Sequence, residues 1–489
     1  RNKNPAMAPV AFYGTCVDTP KFGEIRGLEE RTLLVVLDGV ITSLHRGVAA
    51  DEHRRRLEED GTDVRLLEDS EVLLPGFIDT HIHFPQFPFT GAGIDKPLMG
   101  QEGFLTSYAF PTEESMAELG TARAVYGMAM ETLLSHGTTT ALIFASIHSE
   151  SSKALVDLAL QKQGPRAMVG KVCVDRHCPD SYIETTEASL NATEDFIIYT
   201  QARAAEYGTW PYLAQPVVTP RFLPTCSPEL LRGLGDLAEK YNCMIQSHMS
   251  ESIDEVEFSA RLFGFSDAEV FSKFGLLRGK PGPERPGGPE RPGGPQVQAA
   301  AVMAHCVQMQ KAEERLLKDS GASIAHCPLS NFFFAHGALP VKRLVREGIK
   351  VGLGTDVAGG YSPSMLSAMR AAVLASKSLQ FRYVSGSSLA DTWRESTEEA
   401  KDAHDLNHFE ALYLATLGGA SALGLAEHLG SFEEQKRFDA VLLRRSCEGR
   451  PPVWPTTESK EDLLLKIITL GDDRNVKEVF VDGRSVYRC

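Results

Sequence analysis

Four histidines and one aspartate carry the chemistry this sequence can do, and each stands at the end of a short apolar run. The stretch "PGFIDTHIHFPQF" (75–87) sets His81 and His83 on either side of one isoleucine. Residues two apart on a strand share a face, whereas on a helix they diverge. An apolar strand here therefore points two imidazoles the same way. The remaining three close the runs "MIQSH" (His248), "VMAHC" (His305) and "VGLGTD" (Asp356). A lone histidine on a strand is ordinarily a packed residue satisfied by its neighbours. Three imidazoles with a carboxylate and a water are a ligand set that suits Zn²⁺, and Fe²⁺ accepts the same ligand types. The nine cysteines are scattered, with no C-x-x-C pair. That removes thiolate-based zinc sites and leaves histidine and carboxylate to hold any metal.

These residues act together only if the fold converges them. Eight short apolar stretches lie between residues 74 and 356: 74–80, 138–144, 167–175, 213–222, 244–248, 302–306, 322–328 and 351–356. Helix-like segments separate them, among them "ARAVYGMAMETLLSHG", "PELLRGLGDLAEKY" and "LPVKRLVREG". Strand–helix alternation repeated eight times predicts a parallel (β/α)8 TIM-like barrel, in which the C-terminal ends of the strands face the active site. Strand one then delivers His81 and His83 to the rim, strand five His248, strand six His305 and strand eight Asp356. The flanks read differently. Residues 1–74 show short strand-like runs without long helical periodicity, and 426–489 end in two alternating runs around Asp482-Gly483, a hairpin signal. We expect both ends to form one small β domain beside a barrel spanning 75–425. "PERPGGPERPGG" (283–294) reads as a surface insertion between strands five and six, on the face opposite the rim.

Composition narrows the partners. A chain of 489 residues with 43% hydrophobic and 24% charged residues is ordinary for a globular protein. Its formal net charge of -15 argues against nucleic acid or anionic membranes as partners. No apolar span reaches the ~18 residues of a membrane helix, and "RNKNPAMAPV" contains no signal-peptide core. Unpaired cysteines in a chain of this length point to a cytoplasmic protein with reduced thiols.

The pattern of "HIH" after an apolar strand, a histidine on strands five and six, and "GTD" on strand eight resembles the amidohydrolase superfamily. The stretches "HGTTTALIFASIH", "VTPRF", "QSHMSE", "IAHCPLSN", "GLGTDVAGGYS" and "LGDDRNVKEVFV" are similar to the guanine deaminases within it. The resemblance implies His81, His83, His248 and Asp356 as ligands of one zinc ion, with Fe²⁺ as an alternative. It implies Glu251 as proton shuttle, and His305 and Asp356 as further catalytic groups. Gln86, Arg221 and Phe222 would bind the base, which His83, His248, Glu251 and Asp356 also border. Its chemistry would be hydrolytic deamination of guanine to xanthine and ammonia by a metal-activated water, and a homodimer its usual assembly. Phe222 offers an aromatic face, and Gln86 and Arg221 an amide and a cation for the edge of a flat, uncharged base. Two alternatives stay open: another aminohydrolase or chlorohydrolase of the superfamily, or a catalytically silent barrel scaffold. The cytidine-deaminase type of zinc enzyme is excluded, because its H-x-E motif must be joined by P-C-x-x-C, and no P-C-x-x-C is present. The segment 95–111 and the aromatic "NFFFAH" (331–336) depart from the resembled pattern. His326 reads as a packed or supporting residue, and His404, His408 and His428 as solvated.

Overall fold

A computed structural model of the chain describes residues 9–207, 213–278, 301–384, 404–445 and 459–489. Eight parallel strands follow one another in chain order: Phe77–His83, Thr138–Phe144, Arg166–Gly170, Ala214–Pro220, Met244–Met249, Ala301–His305, Ser323–His326 and Lys350–Leu353. A two-residue extension, Val172–Cys173, pairs with the fourth. The first and last strands close the ring through backbone bonds beyond the eighth strand: Asp356 N–H donates to the His81 carbonyl (2.8 Å) and His83 N–H to the Val357 carbonyl (2.9 Å). This is the (β/α)8 barrel that the alternation predicted.

The strands read apolar throughout because both faces are buried. Ile78, Leu142, Met168, Val217, Met244 and Val302 fill the interior, while Ile82, Ile143, Val169 and Val218 pack outward under the helices. The helices begin and end where their sequences provide caps. Pro228–Tyr241 starts behind Ser227, whose hydroxyl accepts from Leu230 N–H, and stops at Asn242 in the left-handed region (φ 50°). Arg278 and Ala301, on either side of residues 279–300, meet where the Ala301 N–H donates to the Arg278 carbonyl at 2.7 Å. Ala301 starts the sixth strand and His305 ends it, so this junction lies at the end of the barrel away from the histidines. The Pro/Gly tract at 283–294 falls outside the described residues.

Two four-stranded sheets flank the barrel. One is wholly N-terminal, in the order 40–46, 32–37, 10–14, 64–66; the other pairs strand 71–75 with the C-terminal strands 440–444, 476–481 and 484–488. They share a core of Phe12, Leu34, Val36, Leu73, Phe438, Leu442 and Phe480. Asp482 (φ 54°) and Gly483 (φ 76°) make the two-residue hairpin turn expected of that pair. Between strand 71–75 and the first barrel strand only Gly76 intervenes, and a Cβ there would meet the Thr139 side chain at 2.1 Å.

One helix departs from the sequence expectation. Val48–Glu59 is helical within the N-terminal flank, although only Ala50 of it is buried. It docks through Ala50 and the partly buried Leu57 in a small cluster with Tyr13 and Leu33, and through polar groups, with Asp51 accepting from the Tyr13 hydroxyl and the Arg54 guanidinium over the Tyr13 ring. Without an apolar stripe, periodicity had nothing to report.

Candidate active site

At the C-terminal ends of the strands, four side chains from three strand ends meet. One ligand atom each from His81, His83, His248 and Asp356 lies within 4.8 Å of the others, and all four residues are buried. His83 Nε2 is 3.0 Å from His248 Nε2, and Asp356 Oδ1 is 3.1 Å from His81 Nε2 and 3.6 Å from His83 Nε2. His248 Nδ1–H donates to the Arg221 carbonyl at 2.6 Å. In a neutral imidazole that leaves the Nε2 lone pair facing the centre of the group. Burial first, and neighbouring positive groups second, hold His81, His83 and His248 well below the ordinary histidine range. Neutral imidazole is the form that ligates a metal. His81 Nε2, which faces Asp356 in the cluster, is buried with no hydrogen-bond partner. Buried polar atoms are nearly always satisfied. Inward-facing lone pairs, a carboxylate and an orphaned nitrogen together fit a divalent cation.

A second grouping, His81, His305, Cys327 and Asp356, meets the same spacing. Burial and then the nearby carboxylates push the Cys327 thiol well above its usual range, which disfavours the thiolate that a metal needs. His305 is anchored through Nδ1, 2.9 Å from Asn331 Oδ1, and its Nε2 lies 3.6 Å from Glu251 Oε2 and 3.8 Å from Asp356 Oδ2. Ser250, His305 and Asp356 all hold positive φ (49°, 69° and 50°). Such backbone is uncommon for residues other than glycine and clusters at functional sites.

Glu251 is buried beside this cluster. Burial, then Asp356 and Asp254, raise its carboxyl well above the usual range. Its N–H donates to the Glu255 carboxylate (3.2 Å), and the preceding Ser250 N–H donates to Asp267 (2.9 Å). The turn that carries Glu251 is therefore held by two buried acids.

A cavity of about 390 Å³, its open mouth included, sits over the cluster. His83, Gln86, Arg221, Phe222, His248, Glu251, His305 and Asp356 all line it, and His81 lies beneath. The structure thus brings together every site residue expected from the sequence. The two stretches that departed from the resembled pattern build the outer wall: Leu98, Phe104 and Leu105 from the first, Phe334 from the second, with the Phe104 and Phe334 rings 4.8 Å apart.

Three residues escaped the sequence reading. Glu113, Tyr182 and Asn331 are buried around the site and hold Gln86, Arg221 and His305. Glu113 stands beside Glu114 in "FPTEES", where nothing separates a buried acid from a surface one. His326 is buried, as expected. His404, His408 and His428 are half-buried rather than solvated, and burial holds each below the ordinary range.

The Amidohydrolase family model matches residues 72–486. A guanine deaminase of Dictyostelium discoideum is 35% identical over 488 residues, 97% of this chain and 97% of the relative. The human guanine deaminase is 36% identical over 489 residues, 98% and 97% of the two chains. The crystal structure of a guanine deaminase from C. acetobutylicum with guanine bound in its active site superposes with a TM-score of 0.80 at 30% identity, covering 98% of this chain and 100% of that one. Among the described residues no helix is long and apolar enough to cross a membrane.

Proposed function

This chain belongs to the amidohydrolase family, and from that premise we propose that it hydrolyses guanine to xanthine and ammonia. The observation that carries the reading is one cavity holding both a three-histidine, one-aspartate cluster and a base-reading trio, Gln86, Arg221 and Phe222. Whole-length similarity to guanine deaminases supports the same substrate. His81, His83, His248 and Asp356 would hold the metal, and zinc suits that donor set. When bound, such an ion lowers the pKa of a water toward ~7 and makes a nucleophile available at neutral pH.

The remaining steps belong to the chain. Arg221 and Gln86 grip the polar edge of the base while Phe222 packs on its face. An Asp356 carboxylate oxygen takes the proton from the attacking water. The Glu251 carboxyl, whose pKa burial raises, donates to the ring nitrogen beside the amine-bearing carbon, passes the proton taken by Asp356 to the departing nitrogen, and recovers one from the new hydroxyl as the carbonyl forms. His305 Nε2, facing both acids, stabilises the charge that develops at that carbon. Ammonia release measured across guanine, adenine, cytosine and aminotriazines tests the assignment. Turnover of one of the others without turnover of guanine would overturn it.

A further inference from the structure

Glu113 is fully buried behind the pocket wall, and its carboxylate gathers three donors. Gln86 Nε2 donates to Oε1 at 2.8 Å, while Arg221 Nη1 (2.5 Å) and the Tyr182 hydroxyl (2.7 Å) donate to Oε2. The other end of the Gln86 amide accepts from Ala358 N–H at 3.3 Å. A carboxylate only accepts and a backbone N–H only donates, so these two bonds fix which end of the amide points where. One hydrogen on Nε2 and one lone pair on Oε1 remain for a ligand. The same short helix, Phe110–Ser115, sets the Phe110 ring under the Arg221 guanidinium, 5.1 Å from its carbon. Residues three apart on a helix share a face, so one turn supplies both a carboxylate and a ring to a single buried cation.

We propose that Glu113 is a positioning and specificity residue: it orients the Gln86 amide and balances the Arg221 charge, so that the pocket selects an uncharged purine over an anionic one. The proposal rests on the reading of the cavity as a guanine site. Arg221 is itself almost fully buried. A buried guanidinium without its carboxylate draws an anion instead. Glu113 does not line the cavity and touches no reacting atom, so it acts through Gln86 and Arg221.

The test uses the metal-loaded full chain and Glu113→Gln. We expect KM for guanine to rise at least tenfold with kcat within threefold and bound metal unchanged. Inhibition by urate, an anionic purine, should strengthen at least tenfold relative to hypoxanthine, an uncharged one. A purely structural role would lower the active fraction and leave both the KM and the inhibitor ratio where they were, and that result overturns the proposal. Should Glu113→Gln fail to fold, Tyr182→Phe keeps the ion pair and removes one donor to Oε2. A two- to fivefold rise in guanine KM at constant kcat then supports the proposal, and an unchanged KM overturns it. If the unmodified protein released no ammonia from guanine, the reading of the site would fail first, independently of Glu113.

Discussion

The two ends of the barrel hold buried charge in opposite ways. Beneath it, where the third strand begins, Arg166 donates through Nε (2.6 Å) and Nη2 (3.0 Å) to Asp439 and through Nη2 to Asp482 (3.1 Å), and Arg437 also pairs with Asp482. Burial alone would depress the Arg166 guanidinium, but Asp439 and then Asp482 outweigh it and raise it above its ordinary range. Every charge in that cluster finds its counterpart inside the chain. At the rim, His81 Nε2, His83 Nδ1, His305 Nε2 and His326 Nε2 are as deeply buried and lack hydrogen-bond partners. Buried groups satisfied internally lock strands, helices and sheets together. Unpartnered buried atoms also occur away from the rim, Thr138 Oγ1 and Ser323 Oγ among them, but among the described residues the groups that could hold a metal converge at the rim. The division follows the fold, in which one end of the strands serves stability and the other chemistry.

The sharpest way to break this contrast is to damage the rim. Asp356→Ala should reduce kcat/KM for guanine on the order of 10⁴-fold or more, since it removes both a ligand and a proton acceptor worth several kcal/mol. Bound metal measured by elemental analysis should fall with it, and a variant that kept both would detach Asp356 from the site. Damage below should do the reverse. Arg166→Ala leaves Asp439 buried without its cation and should cost about 3–5 kcal/mol of stability. Denaturant titration reads that loss, while kcat per folded molecule should stay near its starting value.

Within the rim, Glu251→Gln should retain metal and lower kcat by at least ~10²-fold, because an amide cannot relay a proton. Near-normal turnover would send the shuttle role elsewhere. The smallest effect belongs to the tract at 283–294. Its described flanks already meet at the lower end through Ala301 and Arg278. Shortening a loop changes closure entropy slowly, so deletion should cost ~1 kcal/mol or less. Guanine kinetics should be unaltered, and a large loss of kcat/KM with the fold intact would mean that the tract reaches the rim.

Much of this is legible in the sequence alone. The eight apolar runs and their order state the barrel locally, and the "HIH" spacing puts two imidazoles on one face, because strand alternation is a two-residue rule and needs no distant partner. The Asp482-Gly483 turn is equally local, since both residues tolerate positive φ. Helix 48–59 was not legible, because its apolar contact is confined to Ala50 and the partly buried Leu57, too sparse to read as a stripe.

What the sequence determined by itself was the list of groups that gather in one cavity at the rim. Tertiary structure alone decided how those groups are held. Glu113 meets Arg221 across 108 residues and Gln86 across 27, and Asn331 meets His305 across 26. Such pairings are set by where helices and loops dock on the rim. Each pairing spares a buried charge or polar group the cost of standing unpaired, and no window of neighbouring residues contains both partners.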